Sequence, residues 1–421
     1  MLSLAAPALH AVAPITPFIQ KRWQRRDTWA LAALVLTSVL YTSVVQFGLD
    51  DRFFAIPQGN DVWFEADIPV VSDLMLHRWS DHARNAHHPL FALVTTSPTY
   101  VLRPILSARA RVAVVVVFAG LIWGAVVFLL MRAFTRSLME AVTFSVLTFV
   151  SAASIFWLPA AETYALGSAT LLVPLALLAW DSRRKLPDWC YVAVSAASLS
   201  VTTTNWVSGM IAPLAARSVR AAIQIMANAL VVVMSFWVVQ KLVIPSVPFF
   251  LSADPGRRFI FPDSAGTPFT TTKALLFHSM VMPRLGTIME EHWGERLTVQ
   301  SSALGSSGLL GTAATILWLP LLIAGLVAAL ARSRSSLPHR ALLATLASQL
   351  ILYSAYGEET FLYALHVAPL LVACAAASMA TRARRFLLVL TWVLIVLLAI
   401  NNITALMHAA QFFAWVPAPR P

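Results

Sequence analysis

Charge is what this 421-residue chain has least of: 12% of it is Asp, Glu, Lys or Arg, against 59% hydrophobic residues. A soluble domain needs far more polar surface to cover its core, so a soluble globule is excluded. Cysteine is nearly absent. Cys190 and Cys374 both fall inside apolar runs, so neither reads as a disulfide partner or a metal ligand. No Walker loop, GxGxxG fingerprint or GxSxG elbow occurs, which removes support for nucleotide-dependent chemistry and serine hydrolysis. None of the 10 histidines forms an HxxxH or HExxH pair, so there is no zinc signature. The net charge of +11 brings no basic stripe interleaved with aromatics, which excludes nucleic acid as a partner.

What is present is a series of apolar runs of about 17 to 25 residues, the length that spans a hydrocarbon layer as a helix. Continuous runs, not alternating ones, select helices over a barrel. The expected fold class is therefore all-α, a polytopic membrane protein with about 11 transmembrane helices. The spans are predicted near 28–48, 112–131, 141–160, 164–180, 191–204, 206–216, 221–243, 309–330, 341–354, 361–380 and 386–400. The basic cluster Lys21, Arg22, Arg25 and Arg26 precedes the first span, which reads as a signal anchor with a cytoplasmic N-terminus. Alternating the spans from there puts 17 Lys and Arg against 4 Asp and Glu inside, leaving 13 basic and 15 acidic residues outside. This asymmetry fixes the predicted topology. Four regions follow: a cytoplasmic segment 1–27, a transmembrane module 28–243 containing the extracytoplasmic loop 49–111, a second outer loop 244–308, and C-terminal helices 309–421. The stretch His88–Leu106 is predicted to lie along or dip into the outer face, and TTTKALLFHSMVMPRLG in the second loop to form an interfacial helix.

The scarce charge is concentrated. Between Gly59 and Phe91 stand Asp61, Glu65, Asp67, Asp73 and Asp81 beside His77, His82, His87 and His88. Pro69 suits the first turn of a helix, and a carboxylate just before it meets the positive end of the helix dipole. Asp67 is thus the candidate general base, with Glu65 close by, and the plain alternative is that Asp67 only caps the helix. Glu162, in the apolar turn PAAETYALG, and Glu358–Glu359 are predicted to open on the same side, as are Asp50 and Asp51 after the first span. Their coincidence argues for one shared outer cavity. His88 before Pro89, with Arg84, Arg103 and Arg111 near in sequence, is the candidate phosphate site, with lipid headgroup contact the alternative for Arg103 and Arg111. The TTTNW break around Asn205 is costly in lipid and tolerated mainly beside a cavity.

An inside N-terminus, one span, then a long outer loop with carboxylates and a histidine-proline motif together resemble the GT-C superfamily of integral-membrane glycosyltransferases. In protein O-mannosyltransferases an acidic pair follows the first span and an HPPL-type motif comes later in that loop. Here Asp50–Asp51, or Glu65 and Asp67, precede HHPL at His87–Leu90, with one proline instead of two and DD in place of DE. The short outer turn with Glu162 and the TTTNW break are similar to bacterial members. The resemblance implies transfer of a sugar from a polyprenyl-phosphate donor to a lipid, glycan or protein acceptor, at the extracytoplasmic face of the bacterial inner membrane. It implies Asp67 as base and Glu65 or Glu162 positioning the acceptor or a divalent cation, the one cofactor in question. His88, Arg84 and Arg111 would contact phosphate, and Asp50, Asp51 and Glu358 are alternative acids. A transporter or flippase for a lipid-linked or anionic solute is the competing expectation, against which stands the scarcity of charges buried in mid-span.

Overall fold

The computed structural model describes residues 23–55, 61–251, 260–262, 265–290 and 294–415. Outside the described residues lie Lys21 and Arg22, the DPGRR sequence at Asp254–Arg258, expected to form a turn in the second outer loop, and Glu291 of the acidic pair Glu290–Glu291 in that loop. The first predicted span is α1 (Arg25–Gly48), free of proline and of glycine until its last residue. α2 (Ile68–Leu76) carries Pro69 in its first turn, as expected. α3 (Phe91–Val101) has 11 residues, about 16 Å, too short to cross a bilayer. α4 (Ala108–Phe134) is a full span. The next predicted span is broken, giving α5 (Leu138–Phe149) and α6 (Ala152–Trp157). The break is satisfied from outside itself: Ala152 and Ala153 donate to the Met280 and Ser279 carbonyls, and the Asn402 amide donates to Val150 and Met280 carbonyls.

Then come α7 (Tyr164–Asp181), the helical hairpin α8 (Asp188–Val201) and α9 (Trp206–Ala216), and α10 (Val219–Val243). In the second loop, α11 (Pro268–Lys273) runs into a π-turn over Ala274–His278. This is not the interfacial helix expected. Ala274, Leu275, Met280, Val281 and Met282 are all buried, and Trp318 donates to the Leu276 carbonyl, so the segment is inserted into the end of the bundle. Beyond it, β1 (Gly286–Glu290) and β2 (Gly294–Thr298) pair antiparallel with Ile288 opposite Arg296, a hairpin that the all-α expectation missed. α12 (Leu309–Ser333), α13 (Leu337–Ala355), α14 (Ala364–Ala377) and α15 (Arg384–Trp415) complete the chain. α12 and α14 approach so closely that a Cβ on Gly325 would stand 2.4 Å from the Ala375 Cα. The approach of small residues is how helices pack in lipid.

Among the described residues seven helices are long and apolar enough to cross a membrane: α1, α4, α7, α10, α12, α14 with its flanking turns, and α15. The chain is an integral, mostly helical membrane protein. The predicted count of eleven is not reproduced by length and apolarity, because α5, α8 and α9 have 12, 14 and 11 residues and α13 carries Arg340 and Gln349. One buried core joins residues of 28–243 with those of 309–421.

Polar contacts mark the two ends. At one, Arg132 pairs with Asp27 at 2.7 Å, Arg384 with Glu140 at 2.5 Å and Arg217 with Asp181 at 3.0 Å. At the other, Arg109 donates to the Gln46 and Leu49 carbonyls, and Gln46 reaches the Pro159 carbonyl. The turn holding Glu162 and the segment holding Glu65 and Asp67 share this second end.

Candidate functional site

The site is floored by aromatic rings. Trp63 stacks on Phe156 with centroids 5.5 Å apart, and Phe64, fully buried, meets Phe361 at 5.1 Å and Trp157 at 6.1 Å. Phe64 and Glu65 take left-handed backbone, φ 53° and 63°, a conformation costly for residues with a Cβ. Burial of the Phe64 ring offsets that cost and turns the chain so that Glu65 and Asp67 project from one short bend.

Asp67 occupies the N-cap position of α2, yet its side chain makes no cap hydrogen bond. The capping alternative therefore does not describe it. Its carboxylate, 44% exposed, stands 3.4 Å from Arg84 Nη1. The same nitrogen donates to Glu162 Oε1 at 3.1 Å, and Glu162 is wholly buried. Burial raises the Glu162 pKa, with Arg84 and the Thr163 N–H opposing. One guanidinium thus joins an open carboxylate to a buried one.

A second group adjoins it. Arg296, from β2, contacts Glu65 at 2.9 Å and Glu358 at 3.7 Å, and the Glu359 N–H donates to Glu65 at 3.1 Å. Glu359 accepts from Thr298 Oγ1 at 2.5 Å and the Val299 N–H at 3.2 Å. Glu65 and Asp67 stand two residues apart on one bend, so the two groups border one another. Glu65 stands with Glu358 on Arg296 and has Glu359 beside it, and three carboxylates so close cannot all ionise cheaply. Burial, reinforced by Glu359 and Glu358 and opposed by Arg296, pushes Glu65 up to about 8.

That shift has a sign. From pH 4.5, the ordinary value, to about 8 the folded chain holds a proton on Glu65 that the unfolded chain has released. Its stabilising share is complete below pH 4.5 and is lost as pH rises through 8. The thermal midpoint in detergent should therefore fall across this window and fall less steeply in Glu65→Gln. Parallel slopes for the two proteins would assign the proton to another group.

The histidine-proline motif meets the TTTN apex of the α8–α9 hairpin. His88 Nδ1 donates to the Val201 carbonyl at 2.8 Å, Leu90 N–H to Ser200 at 2.7 Å, and Thr203 N–H to His87 at 3.0 Å. Leu93 N–H is taken by the Gln240 side chain at 2.7 Å. The start of α3 thus has these amides occupied, unlike the open anion-binding turn expected there. Desolvation and the nearby Arg84 guanidinium push His88 down to about 3, so the imidazole is neutral and offers Nε2 as an acceptor. Beneath the motif, Asn205 donates to the Gly167 carbonyl at 2.9 Å while its Oδ1 has no partner. A Cβ on Gly167 would lie 2.7 Å from His366 Nε2 and 3.3 Å from Thr202 Oγ1, so only glycine fits. Both nitrogens of His366, itself buried in α14, are without hydrogen-bond partners.

Of the predicted site residues, Asp67, Glu65, Glu162, Arg84, His88 and Glu358 are brought to this region. Three are held elsewhere. Asp50 caps a short turn and pairs with Arg52 at 3.0 Å. Asp51 pairs with Arg109. Arg111 donates to the Thr99 carbonyl at 3.2 Å, binding α4 to α3. Sequence reasoning missed Arg296 and His366, which lie far along the chain and carry no motif; the intramembrane position of His366 was the available signal. Among the described residues no group of three or more His, Cys, Asp or Glu is arranged to hold a metal. A divalent cation does not fit between Glu65 and Glu358, because Arg296 occupies that place.

No protein-family model, curated protein or solved structure matches the chain.

Proposed function

We propose that the chain is a membrane glycosyltransferase that moves a sugar from a polyprenyl-phosphate donor to a lipid, glycan or protein acceptor. The reading is carried by one observation: Asp67 sits at a helix start without capping it and shares Arg84 with the buried Glu162. Asp67 takes the proton of the acceptor hydroxyl as that oxygen attacks the sugar carbon, and the bond from carbon to phosphate oxygen breaks. The departing phosphate gains charge, which Arg84 stabilises. Glu162 holds Arg84 in place, and neutral His88 accepts a hydrogen bond from a sugar or acceptor hydroxyl. The deciding measurement is release of polyprenyl phosphate from a polyprenyl-phosphate hexose by the purified protein in liposomes. Release that needs the protein and an added acceptor supports transfer, and no release with any acceptor class defeats it.

The second reading, a carrier or flippase for a lipid-linked or anionic solute, is favoured by His366, an ionisable side chain in a membrane helix with no hydrogen-bond partner. In the same liposomes it gives movement of intact donor between leaflets without release. The site would face away from the cytoplasm, by the charge asymmetry of the loops. Asp81→Cys and Ser335→Cys, both at exposed positions, should then label from outside and only after lysis, respectively. The reverse pattern in intact cells would invert the orientation.

A further inference from the structure

A cleft of about 490 Å³ opens at the far end of α2. It is lined by Leu76, His77, Arg78, Trp79, Tyr100 and Arg103, and lies some 14 Å along the helix from Asp67, at about 1.5 Å per residue. The transferase reading makes no use of it. Its chemistry is opposite to that of the acidic site. The Arg78 guanidinium lies 4.5 Å from the Trp79 ring centroid and 6.0 Å from that of Tyr100, and the buried Arg78 Nε has no hydrogen-bond partner. Arg103 is exposed at the other wall. No carboxylate lines the cleft: Asp73 is engaged by His77 Nδ1 and Ser80 Oγ, both at 2.8 Å, and Asp81, next to the lining residue Ser80, is exposed outside it. Two guanidiniums framed by two aromatic rings make a site for an anion carried on an amphipathic molecule.

The surroundings name the molecule. Arg103 precedes the spanning helix α4 by five residues, so the cleft lies at the membrane–water boundary. Beside it Val101 and Ile105 are each 75% exposed and Trp79 67%, the apolar and tryptophan surface that headgroup level favours. We infer that this cleft binds the phosphate of an anionic lipid headgroup, with Arg78 and Arg103 on the phosphate and the acyl chains against Val101 and Ile105. The inference does not depend on sugar transfer, and its test does not measure transfer.

Purified protein in neutral detergent is titrated with phosphatidic acid, phosphatidylcholine and inorganic phosphate, and bound ligand is counted by native mass spectrometry. Phosphatidic acid should bind at least 10-fold more tightly than phosphatidylcholine. Arg103→Gln, at an exposed position that leaves the fold intact, should remove much of that preference, and Arg78→Gln with Arg103→Gln all of it. Equal affinity for the two lipids, or full preference in the double variant, overturns the site. Inorganic phosphate binding as tightly as phosphatidic acid, with loss in the same variants, overturns the lipid and leaves a soluble-anion site.

Discussion

Asp67→Asn is expected to lower sugar transfer about 10²-fold to 10⁴-fold, the usual worth of a positioned general base. Asparagine keeps the shape of aspartate and suits a helix N-cap, so α2 should be unaffected. The side chain makes no cap bond that could be lost. Arg84 retains Glu162 at 3.1 Å as its charged partner, so donor binding should change little. The loss should therefore appear in kcat and leave KM for the donor nearly constant. Full turnover in Asp67→Asn would move the base to another carboxylate, and Glu358 is the one among the alternatives that the fold keeps at the site.

Arg84→Met should be the most destabilising single change at the site. It strands Glu162, whose side chain has no exposure, beside apolar neighbours. Removing one member of a buried pair costs about 3–5 kcal/mol when the other must stay charged. Glu162 has an escape, since burial already raises its pKa and the loss of Arg84 raises it further. In the variant the folded chain then holds a proton on Glu162 that the unfolded chain releases above the ordinary carboxylate value, so stability falls as pH rises. The deficit in thermal midpoint relative to the parent should be small near pH 4 and largest near pH 8. Adding Glu162→Gln to Arg84→Met should recover most of the stability and none of the donor binding. A deficit independent of pH, or no recovery in the double variant, would show that Arg84 supports the fold through packing instead of charge.

The membrane class, most spans and the concentration of carboxylates were legible in the chain because each depends on local composition. A run of 20 apolar residues partitions into lipid wherever it stands, and Pro69 sets a helix start from its own ring. Asp67 and Glu162 were both visible as candidates, one from a helix start and one from apolar flanks. Their sharing of Arg84 was not, since Arg84 reaches Glu162 across 78 positions of chain. The same holds for Arg296, delivered to Glu65 by a hairpin whose strands are five residues each, too short to stand out from a loop by alternation.

The break between α5 and α6 depended on carbonyl partners from residues 279–280 and an amide from Asn402, long-range contacts that no window of sequence contains. His88 shows the limit most plainly. The sequence by itself determined that a histidine and a proline begin a short helix near the membrane face. Only the tertiary structure decided that the α8–α9 apex would cap that helix, desolvate the imidazole and leave it neutral, because burial and hydrogen bonding set a pKa and both arise from what packs against the group.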